Sequence, residues 1–176
     1  MGYQEIEVKI LEVNRKEVVS KLEKLGGIIS FDAEMTAWFF DTKENEIKTR
    51  GDVLRLRKEG DESVLTYKKH LSRGEAKIME EIETKVADAE AMKNFLLASG
   101  FELVKQTRKF RIQYDLPEAH VVIDNYQDEL GAIPEFIEVE AHNIERLKEV
   151  VEALGYTMDD CLSWSTRELA KHYLKA

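Results

Sequence analysis

From Glu5 to Ile10 the chain reads EIEVKI, with Ile6, Val8 and Ile10 alternating with Glu5, Glu7 and Lys9. Period-two alternation predicts a strand with one apolar and one charged face. The same kind of segment returns as EIETKV from Glu81 and as FIEVEA from Phe136. Each of the three leads into a run with helical apolar spacing: RKEVVSKLEKLGG, DAEAMKNFLLASG and NIERLKEVVEALG. Asn14, Asp88 and Asn143 stand where N-caps belong, and Gly26, Gly100 and Gly155 where helices stop. AWFFDT, DVLRLRKE, SVLTYKKH, VKQTRKFRIQY and HVVIDNY predict five more strands joined by short polar turns. STRELAKHYL predicts a short amphipathic helix near the C-terminus. The sum is a β-rich α+β domain whose sheet is largely antiparallel, with enough strands to close a barrel. No Pro/Gly/Ser-rich linker divides it, and Pro117 and Pro134 fall at strand ends or loops, so residues 1–176 read as one domain.

Composition narrows the function classes. Of 176 residues, 35% are charged and the net charge is −9, which argues against a broad nucleic-acid surface or an anionic-membrane anchor. One cysteine, Cys161, permits neither an intrachain disulfide nor a cysteine-rich zinc site. The start MGYQEIEV has no apolar signal core, and no run approaches the ~20 apolar residues of a membrane span. The expectation is a soluble, cytoplasmic protein.

Strand parity sorts the charges. With aliphatic positions set to one side, Glu5, Glu7 and Lys9 share a face with Arg55 and Arg57, with Thr66 and Lys68, and with Glu81, Glu83 and Lys85. Lys109, Arg111, Asp124, Glu138 and Glu140 fall on the same side, with Val122 as an apolar exception. Facing outward, such a surface is ordinary and its ion pairs count for little. Facing inward, the same charges are confined and costly to bury unless a ligand occupies the space. Carboxylates without histidine or cysteine partners suit a hard cation such as Mg2+ or Mn2+. Converging arginines and lysines suit phosphate oxygens. A metal-bridged polyphosphate satisfies both halves, but parity alone does not show which way the sheet curls.

ExExK in EIEVKI, FDT at Phe40, VLRLRKEG at Val53, LTYKK at Leu65, EIET at Glu81, TRKFRIQY at Thr107, VVIDNYQDELGAIPEFIEVE at Val121 and SWSTREL at Ser163 together resemble the CYTH superfamily. These are the triphosphate tunnel metalloenzymes, and the likeness runs nearly end to end. It is nearest the branch of class IV adenylyl cyclases and thiamine triphosphatases. The resemblance implies a closed eight-stranded antiparallel β-barrel, helices outside, with a charged tunnel. It further implies that Glu5, Glu7, Glu138 and Glu140 bind Mg2+ or Mn2+, with Asp124 as a further metal or water ligand. Lys9, Arg55, Arg57, Lys68, Lys109 and Arg111 would line the triphosphate path, and Glu5, Glu7, Lys9 and Asp124 would serve catalysis. Glu81 and Glu83 would hold bases in place or serve a second metal.

The implied partner is ATP, thiamine triphosphate or tripolyphosphate, converted by cyclisation or hydrolysis, with a homodimer left open. A non-catalytic polyphosphate or nucleotide sensor is the rival class, against which two separate carboxylate pairs argue. Lys85 at a strand end and Lys171 on the tail helix read as solvated. His70, His120, His142 and His172 lack ligand spacing, and Trp38 and Trp164 read as packing residues rather than ring-stacking ones. Neither a Walker loop nor GxGxxG occurs.

Overall fold

The computed structural model of the chain describes residues 3–174, so residues 1, 2, 175 and 176 of the expected domain lie outside it. Eight strands run β1 (Tyr3–Ile10), β2 (Ile28–Asp41), β3 (Val53–Glu59), β4 (Glu62–Arg73), β5 (Lys77–Lys85), β6 (Glu102–Leu116), β7 (Ala119–Tyr126) and β8 (Phe136–Ala141). They close into a barrel in the order β1-β5-β4-β3-β2-β6-β7-β8, and every neighbouring pair is antiparallel. Around it lie α1 (Arg15–Lys24), α2 (Glu46–Arg50), α3 (Ala89–Ala98), α4 (Ile144–Ala153) and α5 (Thr166–Tyr173).

The three long helices begin where their polar residues predict. Asn14, Asp88 and Asn143 accept backbone N–H bonds from Lys16, Ala91 and Arg146, which satisfies donors that the first turn leaves orphaned. Gly26, Gly100 and Gly155 follow their ends at positive φ, where a side chain would be strained.

Two features depart from the sequence expectation. β2 and β6 are much longer than their apolar segments, because they pair with each other from Ile28↔Asp115 to Asp41↔Glu102, so backbone pairing carries them past their apolar runs. α2 was not foreseen. Its backbone is organised by a side chain, since Asp41 Oδ1 accepts from Thr42 N and Ile47 N, and Oδ2 from Lys48 N. Five residues are too few to show a helical period.

The apolar core lies outside the barrel wall. Ile6, Val8 and Ile10 of β1, with Val121, Ile123, Ile137 and Val139 of β7 and β8, pack against Val18 and Leu22 of α1 and Leu147, Val150, Val151 and Leu154 of α4. A second cluster places Trp38, Phe40, Leu54 and Leu56 beneath Ile47 of α2 and Leu96 of α3. A third joins Tyr126 and Phe136 to Leu169 of α5 at one barrel end. Each fully buried aliphatic side chain contributes roughly 1.5–3 kcal/mol. With aliphatic positions satisfied outside, the alternate, charged positions must point inward. No helix among the described residues is long and apolar enough to cross a membrane.

Candidate active site

The barrel encloses a cavity of about 1150 Å³. Register stacks its charges in rows: Glu7 lies opposite Glu140 of β8 and Lys77 of β5, Lys9 opposite Glu138, Lys68 opposite Glu81, and Arg111 opposite Asp124. Because side chains alternate along every strand, these pairings bring residues distant in sequence onto one wall.

Three carboxylates converge. Glu5, Glu7 and Glu140 each offer an oxygen within 4.8 Å of the others. Burial, reinforced by Glu5 and Glu138, pushes Glu140 up to about 8. Burial alone would raise Glu7 as well, yet Lys9, Lys77 and Lys68 hold it well below the usual carboxylate range. Lys77 Nζ lies 2.9 Å and Lys9 Nζ 3.3 Å from Glu7 Oε1.

The other acids face bases. Lys9 Nζ sits 2.7 Å from Glu138 Oε1, and Arg111 Nη2 sits 3.1 Å from Glu138 Oε2. Despite burial, the bases, Lys9 foremost, keep Glu138 below its ordinary value. Asp124, with no exposed surface, accepts two hydrogen bonds from Arg111, at 2.7 and 2.6 Å, and one from Lys109 at 2.5 Å. Glu138 and Asp124, expected with the other acids as metal ligands, are each engaged by bases, and the carboxylates whose oxygens come within 4.8 Å of one another are those of Glu5, Glu7 and Glu140. Lys68 bridges Glu5 at 2.7 Å and Glu81, while Arg57 pairs with Glu59 and Glu83, each at 3.2 Å.

Arg55 differs from its neighbours. Its Nε and Nη2 are buried without a hydrogen-bond partner, and burial together with Arg57 and Arg111 pushes the guanidinium down to about 10. A buried guanidinium with free donors is costly and aims its fork at whatever fills the cavity.

Replacing Asp124 with asparagine would leave Lys109 without its buried ion-pair partner and Arg111 with Glu138 alone. The expected loss is about 3–5 kcal/mol in denaturant unfolding at neutral pH. Lys109, already pushed down to about 8 by burial and by Arg111, is the group that sheds a proton in response. In the wild type the Asp124 pKa is depressed, mainly by Arg111 and Lys109 working against burial. Its contribution is therefore complete above the unfolded-state pKa of ~3.9 and is lost as pH falls through the folded value. The variant should lack this acid limb.

Of the weaker candidates, Lys85 is exposed and paired with Glu62, and Lys171 is an exposed residue of α5. Trp38 is buried, donating to Gln106, and Trp164 packs on His172. His120 contacts Asp115, and both it and His142 line one mouth of the cavity. Lys77 and Lys105 are lining residues that the sequence reading passed over. Lys77 shares the parity of Glu81 and Glu83, but Met79 between them interrupts the charged pattern. Lys105 shares the parity of Lys109 and Arg111.

The CYTH domain family model matches residues 3–161. A protein of Methanocaldococcus jannaschii named "Putative adenylate cyclase MJ0240" is 28% identical over 171 residues, spanning 94% of this chain and 97% of that one. Among solved structures, PH1012 from Pyrococcus horikoshii superposes with a TM-score of 0.77 at 24% identity, covering 94% of this chain and 98% of its own. A Vibrio parahaemolyticus structure described as a "putative adenylate cyclase" gives 0.80 at 19% identity and full coverage of both chains. A Hippeastrum protein described as the "putative adenylyl cyclase HpAC1" with a dominant triphosphatase activity gives 0.66 at 16% identity, covering 98% of this chain and 96% of that one.

Proposed function

The chain belongs to the CYTH domain family, and from that premise we propose that it is a divalent-metal-dependent enzyme that cleaves the triphosphate group of a small molecule. The observation that carries this reading is one cavity holding both a three-carboxylate cluster and a buried Arg55 with free donors. The cluster fits a divalent ion by its chemistry. Its donors are all hard oxygens, and the Glu140 carboxyl, pushed up by burial and then by Glu5 and Glu138, is the group whose charged form a cation would favour. Glu5, Glu7 and Glu140 would hold Mg2+ or Mn2+, which when bound supplies Lewis-acid polarisation of a phosphoryl oxygen.

The remaining roles belong to the chain itself. Arg55 and Arg57 on β3, Lys68 on β4 and Lys109 and Arg111 on β6 present donors to phosphate oxygens and neutralise charge developing on the leaving group. Lys9, held charged by Glu138 and Glu7 in spite of burial, keeps a fixed positive charge beside the acid cluster. Asp124 and Glu138 orient Lys109, Arg111 and Lys9. Glu81 and Glu83 do the same for Lys68 and Arg57. Hydrolysis breaks the terminal P–O bond with water and yields orthophosphate and a diphosphate. Cyclisation directs a ribose 3′-hydroxyl to the α-phosphorus and expels pyrophosphate. Both need the same cage, so the cage supports the substrate group rather than a choice between the two reactions.

A product assay with Mg2+ and with Mn2+ on tripolyphosphate, ATP and thiamine triphosphate makes that choice. Orthophosphate with the matching diphosphate marks a triphosphatase; cyclic AMP with equimolar pyrophosphate marks a cyclase. The expected result is one of these, abolished by chelation. Tight binding with no turnover of any of the three would replace the enzyme with the sensor.

A further inference from the structure

Among the residues lining the cavity, its two mouths differ in charge. α2 joins the end of β2 to the start of β3, so Lys48 of α2 stands at one mouth together with Lys105 at the start of β6. Arg167 of α5 is at the same mouth, because Tyr126, at the end of β7, meets Thr166 at 3.1 Å. Lys48, Lys105 and Arg167 have no ion pair among the described residues. Lys105 is half-buried, and burial lowers its pKa although Glu129 acts on it through space. The acids lining this mouth are already occupied. Asp41 accepts from the α2 backbone, and Asp52 accepts from Tyr67 Oη at 2.8 Å, His70 N at 2.9 Å and Arg50 Nε at 3.1 Å.

The opposite mouth is formed by the β3–β4 and β6–β7 turns. Glu59, Glu62, Asp115 and Glu118 line it; Glu59 pairs with Arg57 and Glu62 with Lys85, whereas Asp115 and Glu118 meet no lysine or arginine among the described residues, and these turns contribute no lysine or arginine to the lining. A triphosphate carries several negative charges, so the field of a chain with net charge −9 opposes its approach everywhere except where cations project unpaired. We infer that the tunnel is electrostatically one-way: the anionic substrate is admitted at the α2/α5 mouth, steered by Lys48, Lys105 and Arg167 toward Arg55, and is repelled from the β3–β4/β6–β7 mouth. The apolar side chains of Phe39, Val53 and Val104, which line the cavity beside Lys105, then give the carbon-bearing part of a substrate a place behind its phosphates. This direction rests on the triphosphate reading of the site.

The test compares charge reversals at the two mouths, with tripolyphosphate and Mg2+ as the probe over a range of ionic strength. Lys48→Glu combined with Lys105→Glu should lower kcat/KM at low salt by about ten-fold, leave kcat unchanged and flatten the salt dependence. Glu62→Lys and Glu118→Lys, which relieve repulsion at the other mouth and leave the admitting one untouched, should leave kcat unchanged and not lower kcat/KM. Unaltered kcat/KM in the lysine reversals, or an equal loss of kcat/KM in Glu62→Lys and Glu118→Lys, would overturn the direction while leaving the triphosphate site intact. Failure of the wild-type chain to bind tripolyphosphate at all would overturn the site reading on which the direction depends.

Discussion

Glu140→Gln should abolish turnover of triphosphate substrates while leaving the metal-free protein more stable than the wild type. The two effects share one cause. Glu140 shares a buried site with Glu5 and Glu7 and has its pKa pushed up to about 8. An acid whose folded pKa lies above its unfolded value of ~4.3 destabilises the fold as pH rises between the two, by a few kcal/mol in this case. Glutamine keeps the shape and removes the charge, so metal-free stability should rise at pH 8 and the downward slope between about pH 4.5 and 8 should flatten. Removal of one of three metal oxygens should cost at least about a hundred-fold in kcat, since changes one shell further out already cost 10–100-fold. Unfolding curves with and without Mg2+ provide the check: the ion should stabilise the wild type and leave the variant unmoved. A Glu140→Gln protein with near-normal rates would remove Glu140 from the metal site.

Arg55→Met should raise the KM for any triphosphate by roughly ten- to a hundred-fold, the worth of a charged hydrogen bond at about 1.5–3 kcal/mol. The fold should be unharmed. Most buried bases in the barrel would strip an acid of one of its partners if removed, as Lys9 would Glu138 and Arg111 would Asp124. Arg55 has no ion pair among the described residues, and its Nε and Nη2 are buried without hydrogen bonds. Methionine fills similar space without that desolvation cost. Loss of affinity with unchanged or improved unfolding stability separates a ligand-binding arginine from a structural one. Unchanged affinity would mean that the phosphate path avoids β3.

The division of each strand into an apolar and a charged face was legible in the sequence because a strand reports its two faces with period two, whereas the closing of the barrel with the charged face inward was implied by the resemblance to the CYTH superfamily. Ile6, Val8 and Ile10 on one side and Glu5, Glu7 and Lys9 on the other already divide core from cavity once the outer helices are recognised as the apolar partner. Parity does not say which acids meet which bases. That depends on stagger between strands, and stagger is why Glu140 joins Glu5 and Glu7 while Glu138, two residues earlier, meets Lys9 and Arg111. Asp124 shows the same gap, since its place on the inner face was readable but its capture by Lys109 and Arg111 follows from the β6–β7 register. α2 was invisible for a different reason, being built by Asp41 from outside the helix.

A metal-bridged triphosphate is tested most directly by Mn2+ binding followed by electron paramagnetic resonance, with and without tripolyphosphate, in the wild type and in Glu140→Gln. The wild type should show a Mn2+ site that tightens when tripolyphosphate is added, because the anion's oxygens would complete the coordination beside Glu5, Glu7 and Glu140, and the variant should lose that site. Equal Mn2+ binding by both proteins, or a wild-type site indifferent to tripolyphosphate, would contradict a metal-bridged triphosphate in this tunnel.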